Sequence, residues 1–337
     1  MLGWITSYLA NRKQRVVLGR DESEYRSVTS GVPQGSVLGP VLFLIYVNDI
    51  FDGVHSLGKL FADDAKLYMR INNYTDSQLL QKDLDTLTKW TDDWLLSFNE
   101  SKCSVLHFGA NNNLFNYTLH GQQLDSPAFE KDLGVHISTD LKSKVHIGKI
   151  TAKANSILGL IRSTFRFLDV NMMKSLYLSL IRPHLEYAAQ IWSPHYQYDI
   201  DKLESIQKRA TKMPLAMRDK DYESRLRFFD MPTLQQRRSR GDLIQTFKIF
   251  NEVDDLVPSR FFALANQDPN RPELRGHPYK ILKQRFQGDI RKNFYTCRVI
   301  DSWNKLPGEV VESPNLSIFK KRLDKFLSNR GVYNDEL

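Results

Sequence analysis

The tetrad Phe61-Ala62-Asp63-Asp64 constrains this chain more than any other feature. It stands between apolar Leu60 and the short run Ala65-Lys66-Leu67-Tyr68, the pattern of a tight turn joining two short strands. Two adjacent carboxylates at such a turn repel each other unless a cation sits on them. Carboxylate oxygens suit Mg²⁺, which binds through one or two protein carboxylates together with substrate phosphates. A solvated Asp-Asp turn is the plainer alternative, and the residues upstream weigh against it.

Those residues are Ser30-Gly31-Val32-Pro33-Gln34-Gly35-Ser36-Val37-Leu38-Gly39-Pro40, followed by an apolar run to Ile50. Gly31, Pro33 and Gly35 set an exposed backbone that a ligand can approach closely, because glycine has no side chain to hold it away. Leu38, Val41, Leu42 and Ile45 then recur at helical spacing, so the loop feeds a helix expected to be buried. A turn before a core helix would account for the loop alone.

Loop, helix and acidic hairpin, in that order, resemble the palm domain of reverse transcriptases, most closely those of LINE-type, jockey-like non-LTR retrotransposons. Trp90, Trp94, Asn99 and Lys102 resemble the family's next palm motif, a helix followed by a strand that carries a lysine. Leu133-Gly134-Val135-His136-Ile137 resembles the hairpin that grips the primer end. Trp192-Ser193-Pro194, the run Leu203 to Arg209, and Trp303-Asn304-Lys305-Leu306-Pro307 are similar to the family's C-terminal tail.

The resemblance implies roles. Asp63 is the principal metal ligand and Asp64 a second ligand or a shaper of the turn. Gln34 and Gly35 lie against the templating base and the incoming nucleotide, with Phe61 beneath the turn. Lys102 protonates the leaving pyrophosphate, a general-acid step worth about 10²–10⁴-fold. The cofactor is Mg²⁺, with Mn²⁺ as a substitute. The partners are an RNA template and a DNA primer, paired as an RNA–DNA duplex, and a dNTP.

The resemblance also implies a further aspartate on a palm strand before the Gly31 loop. The acidic residues upstream of the loop are Asp21, Glu22 and Glu24, and they fall between Val16-Val17-Leu18 and Tyr25-Arg26-Ser27-Val28, where a solvent-facing hairpin tip is expected. Nucleotidyl transfer uses two metal ions about 3.5–4 Å apart. Two dications at about 4 Å repel by roughly 4 kcal/mol even at water's dielectric constant, so each bridging carboxylate matters. The expectation is a reverse-transcriptase homologue truncated at its N-terminus and inactive alone. A non-catalytic nucleic-acid-binding protein or an interaction scaffold of retroelement origin is the alternative.

The net charge of +8 hides an asymmetry. Residues 1–141 are net acidic and residues 142–337 strongly basic. The acidic part holds the metal-site candidates, and the basic part would face phosphates and bind in a salt-dependent way. Lys208-Arg209, Arg237-Arg238-Arg240 and Lys320-Lys321-Arg322 are the clusters on offer, although each alone reads equally as a solvated helix face. No apolar run approaches the ~18 residues of a membrane span. Cys103 and Cys297 are too few for a disulfide framework, so no disulfide partner is expected. The start lacks the charged lead of a secretory signal. An intracellular setting, nuclear or cytoplasmic and not secreted, is expected.

The pattern along the chain predicts an α+β fold, a partial polymerase palm (antiparallel sheet with helices) followed by a mostly helical thumb. A hairpin is expected over Arg12 to Val32, the acidic hairpin over Leu60 to Met69, and a helix capped by Asp76 with Leu80, Leu84, Leu87 and Trp94 on one face. Strands are expected over Cys103 to Phe108, Tyr117 to Leu119 and Leu133 to Ser138. From Val145 helical periodicity dominates, and Pro183 should kink or end the second long helix. The expected domains are 1–141 (palm), 142–262 (thumb-like) and 263–337 (tail module), the last set off by a Pro/Gly/Asn-rich stretch from Gln267 to Pro278.

Overall fold

The computed structural model describes residues 2–109, 111–265, 276–286 and 288–329, so most of the Gln267–Pro278 stretch lies outside the described residues. The fold is α+β, with two compact units, Met1–Pro127 and Ala128–Leu337.

The first unit opens with helix α1 (Leu2–Leu9), none of whose residues is buried. Four short strands follow: β1 (Lys13–Gln14), β2 (Val17–Leu18), β3 (Asp21–Glu22) and β4 (Arg26–Ser27). They nest as one hairpin, β2 on β3 inside β1 on β4, with Gly19 at φ 63° in the inner turn. Asp21, Glu22 and Glu24 are exposed there, and Glu22 pairs with Arg15.

Helix α2 (Leu38–Val47) forms where periodicity places it, but it is not buried. Only Gly39 and Val47 are buried, whereas Val41, Leu44 and Ile45 are 50%, 52% and 68% exposed. The all-apolar run Val41–Val47 covers every side of the helix, and its neighbours cover only part of them.

Strands β5 (Leu57–Phe61) and β6 (Asp64–Tyr68) make the acidic hairpin. Helix α3 (Tyr74–Asp93) follows. Asn73, not Asp76, is its N-cap: the Asn73 side-chain Oδ1 accepts from the Asp76 N–H at 2.9 Å. Asp76 sits in the first turn, where a carboxylate opposes the helix dipole. Leu80 and Leu84 pack on the small core of Tyr117, Leu119 and Leu124. Strands β7 (Thr118–Leu119) and β8 (Gln122–Gln123) complete the unit. The strand expected over Cys103 to Phe108 does not form; a single parallel bridge links Ser104 to Asp125.

The second unit begins with strands β9 (Phe129–Asp132) and β10 (Val135–Ser138), which pair through a turn at Leu133-Gly134. Then come helices α4 (Lys144–Thr164), α5 (Val170–Leu176), α6 (Arg182–Glu186), α7 (Ala189–Trp192), α8 (Gln197–Lys212), α9 (Tyr222–Phe229) and α10 (Leu234–Phe250). Helix α4 buries Ile147, Ala154, Leu158 and Ile161, one stripe at helical spacing, chiefly against α6 and α8. A π-helical turn (Tyr177–Ile181) leads into α6, whose first turn carries Pro183. Proline lacks the N–H and clashes with the carbonyl four residues back, so the helix widens and restarts there.

Helices α11 (Asp289–Lys292), α12 (Tyr295–Asn304), α13 (Gly308–Val311) and α14 (Leu316–Asn329) build a second core on α10, with Trp303, Phe247, Phe319 and Leu323 at its centre. Thr233 and Gln236 form a reciprocal capping box at the start of α10.

Candidate metal-binding hairpin and its supports

Pairing of Phe61 with Asp64 closes the hairpin, leaving Ala62 and Asp63 as the turn. Ala62 has φ 53°, a left-handed conformation that two-residue hairpin turns usually give to glycine. The turn therefore stores strain of about 1–2 kcal/mol.

All four residues of the tetrad are exposed. Phe61, expected to pack beneath the turn, is 63% exposed instead. The cause is the register: directly opposed residues share a face, so Phe61 stands beside Asp64 on the same face as Leu57, Lys59, Lys66 and Tyr68. The alternate positions Gly58 and Leu60 take the other face. A Cβ at Gly58 would run into the Phe51 ring, so glycine is required to seat that face on Phe51. Phe61 belongs to the opposite face, on which Leu57, Lys59 and Tyr68 are also exposed.

Neither the Asp63 nor the Asp64 carboxylate forms a hydrogen bond or ion pair with any described residue. Two adjacent, solvated, unpaired carboxylates are hard oxygen donors of the kind that fits Mg²⁺. Among the described residues no group of three or more His, Cys, Asp or Glu is placed to hold a metal ion.

Lys59 and Lys66 face each other directly across the strands, next to Asp64. Like charges in that position destabilise a hairpin. Residue-by-residue reading did not bring this pair together. Once the turn is placed, the alternation Lys59, Phe61 and Asp64, Lys66 identifies them.

The hairpin is anchored at its base. Asp83 of α3, almost fully buried, accepts from the backbone N–H of His55 at 3.0 Å and of Ser56 at 2.8 Å, and from the Ser56 hydroxyl. Its Oδ1 also lies 3.2 Å from His55 Nδ1. Burial pushes this carboxyl up, but the hydrogen bonds from His55 and Ser56 outweigh it and hold it below the usual carboxylate value.

Gln34 and Gly35 lie exposed in the loop before α2, with Gly31 at φ 71° and Gly35 at φ 81°. A Cβ at either glycine would meet nothing within 4 Å, so the loop backbone is open to a ligand. Arg12 holds the loop from one side by donating to the Ser30 and Gly31 carbonyls. Ser36 Oγ accepts from the Gly39 N–H at 2.9 Å and donates to the Pro33 carbonyl at 2.7 Å, tying the loop to the first turn of α2.

Lys102 is exposed on a 3₁₀ turn (Glu100–Lys102), not on a strand. Described hydrogen bonds and ion pairs join neither Lys102 nor Gln34 to the Asp63-Asp64 turn. Trp90 and Trp94 are structural: they stack at 5.7 Å, Tyr46 meets Trp94 edge-on at 5.2 Å, and Trp90 Nε1 donates to Asp49 at 3.2 Å, fastening α3 to α2.

The Trp192 and Trp303-Asn304 motifs of the second unit hold backbone groups in place. Trp192 Nε1 donates to the Tyr187 carbonyl at 2.7 Å. Trp303 Nε1 donates to the Tyr279 carbonyl at 2.8 Å, and the Asn304 amide bonds both the N–H and the carbonyl of Ile281 at 2.8 Å. The basic cluster Arg237-Arg238-Arg240 is not a phosphate-tracking face. Arg237 grips Glu186, Arg240 grips Asp324 at 2.6 and 2.9 Å, and Arg238 is 4% exposed, its pKa lowered to about 10 by burial.

The chain belongs to the reverse transcriptases: residues 1–172 match the family described as reverse transcriptase (RNA-dependent DNA polymerase). It is similar to the RNA-directed DNA polymerase from mobile element jockey of Drosophila melanogaster, 25% identical over 306 residues, which cover 82% of this chain and 32% of that protein. It is also similar to the probable RNA-directed DNA polymerase from transposon BS of the same organism, 27% identical over 230 residues covering 62% of this chain and 25% of that protein. A third relative is the probable RNA-directed DNA polymerase from transposon X-element, again of D. melanogaster, 27% identical over 222 residues (63% and 24%). The chain thus spans about a third or less of the curated relatives it matches. No solved structure matches it.

Proposed function

We propose that this chain is the C-terminal part of an RNA-directed DNA polymerase of a non-LTR retroelement, with a palm portion (1–141), a thumb (142–262) and a tail module (263–337). The observation that carries the reading is the pair of exposed, unpaired carboxylates at the tip of an anchored hairpin. Asp63 and Asp64 hold Mg²⁺, or Mn²⁺ in its place. When bound, metal ions in such a site activate the primer hydroxyl and neutralise the triphosphate. Gln34 and Gly35 offer backbone and amide to the templating base and dNTP, and Phe61 offers a flat apolar side beside Asp64. Lys102 gives a proton to the leaving pyrophosphate. The partners are an RNA template and a DNA primer.

Two carboxylates offset the mutual repulsion of two dications poorly, so the isolated chain is proposed to take up one metal ion and to extend no primer. Primer extension on an RNA template with Mg²⁺ or Mn²⁺ tests this: processive synthesis by the isolated chain contradicts the inactivity. Mn²⁺-induced relaxation of solvent protons tests the metal site independently. Asp63→Asn with Asp64→Asn should abolish Mn²⁺ uptake, and unchanged uptake removes the site.

The strongly basic composition of residues 142–337 favours a second reading, a nucleic-acid-binding protein without catalysis. Metal-independent, salt-sensitive binding with no Mn²⁺ uptake would select it.

A further inference from the structure

Helix α4 and the turn after it carry a feature that the acidic hairpin does not explain. Residues 141–168 contain six Lys and Arg (Lys142, Lys144, Lys149, Lys153, Arg162 and Arg166) and no Asp or Glu. All six basic residues, Lys142, Lys144, Lys149, Lys153, Arg162 and Arg166, are exposed. No described hydrogen bond or ion pair engages the side chains of Lys153, Arg162 or Arg166. This contrasts with Arg237 and Arg240, whose charges are met by Glu186 and Asp324.

The segment ends in aromatics turned out of the core. Phe167 is 90% exposed and Phe165 36%. The exposure does not come from a loose loop. Ile161 is buried just before it, Leu168 packs on the same core just after it, and Asp169 caps α5 by accepting from the Met172 N–H at 2.8 Å. Phe165 stands between Arg162 and Arg166 in the chain and Phe167 directly follows Arg166, so two outward rings and two guanidiniums without a described carboxylate partner share one turn.

We propose that the α4–α5 turn is a binding site for unpaired nucleotides, with bases stacking on Phe167 and Phe165 and their phosphates lying on Arg162 and Arg166. Aromatic rings beside cations are how sequence-independent single-strand sites are built, because every base has a π-face. The cationic line back along α4 to Lys149 supplies the track for the strand's backbone. A lipid surface is the other polyanion to weigh. It needs a helix with a spare apolar face, and the apolar face of α4 is already committed to the core. The site needs no metal. It shares with the proposed function only the identity of the partner as nucleic acid.

The test is fluorescence anisotropy of the whole chain in EDTA, with a labelled oligo-dT strand and a blunt duplex of equal length. Phe167→Ala should weaken strand binding about tenfold or more and duplex binding less than twofold. Phe167→Trp should restore the strand affinity, and an unchanged melting curve shows that an exposed ring was removed without unfolding. Arg162→Ala with Arg166→Ala should lower the salt slope on the strand by about 1.4. Unchanged strand affinity in Phe167→Ala, equal loss on strand and duplex, or an unchanged slope overturns the proposal. Binding to phosphatidylserine vesicles that depends on Phe167 while strand binding does not also overturns it. Every one of these values is read in EDTA and none depends on Mn²⁺ uptake, which separates this site's failure from that of the metal site.

Discussion

Asp83 shows how one side chain sets the position of a hairpin it does not belong to. Its carboxylate meets two backbone N–H groups, a hydroxyl and an imidazole from the two residues just before β5. Removing the charge leaves those buried donors poorly matched, so Asp83→Asn should destabilise the fold by about 2 kcal/mol. Its folded-state pKa is depressed, so the stabilisation is present above the ordinary value of 3.8 and is lost as pH falls through the lower folded value. Hydrogen exchange of the His55 and Ser56 amides, with thermal melting across that acid range, checks both points. Protection unchanged by the substitution would refute the anchoring role. The sequence reading placed Asp63 and Asp64 correctly on the hairpin but gave Asp83 no part. Nothing local marks a carboxylate whose partners lie 27 and 28 positions away.

At the scale of elements, α2 is the clearest case of a helix legible in sequence whose surroundings are not. Spacing of Leu38, Val41, Leu42 and Ile45 is enough to fix the helix, because periodicity is a local property. Burial depends on what packs against each side, and the register of neighbouring elements decides that. The same limit explains Phe61, whose face follows from pairing with Asp64, and the segment after Lys102, where alternation alone did not provide a partner strand. Replacing Leu44 and Ile45 with lysine should leave the melting temperature nearly unchanged, since exposed substitutions shift stability by about 0.5 kcal/mol or less. Light scattering should fall, because the apolar patch is broken. A large drop in melting temperature would show that those side chains are covered.

Across the whole second unit, two hydrophobic cores share helix α10 and are tied by one arginine. Arg298 of α12 donates to both Asp242 oxygens at 2.8 and 2.9 Å and to the carbonyl of Gln190 at 3.1 Å, linking α12, α10 and the α7 segment. Burial raises the Asp242 carboxyl, and Arg298 acts against that rise. Arg298→Met should cost about 3–5 kcal/mol, because it strands a buried charge, and adding Asp242→Leu should recover a large part. A double-mutant cycle in denaturant melts reads this directly; simple additivity would rule out the pairing. Neither residue stands out in sequence, where a charged position 56 residues from its partner reads as surface.

Locking Arg237 and Arg240 onto Glu186 and Asp324 also changes how the protein's electrostatics should be understood. Its isoelectric balance counts those guanidiniums in full, yet an approaching polyanion meets dipoles already neutralised from within. Retention on a cation exchanger would therefore track the lysines and arginines without a carboxylate partner, and would fall short of what a tally of basic residues implies.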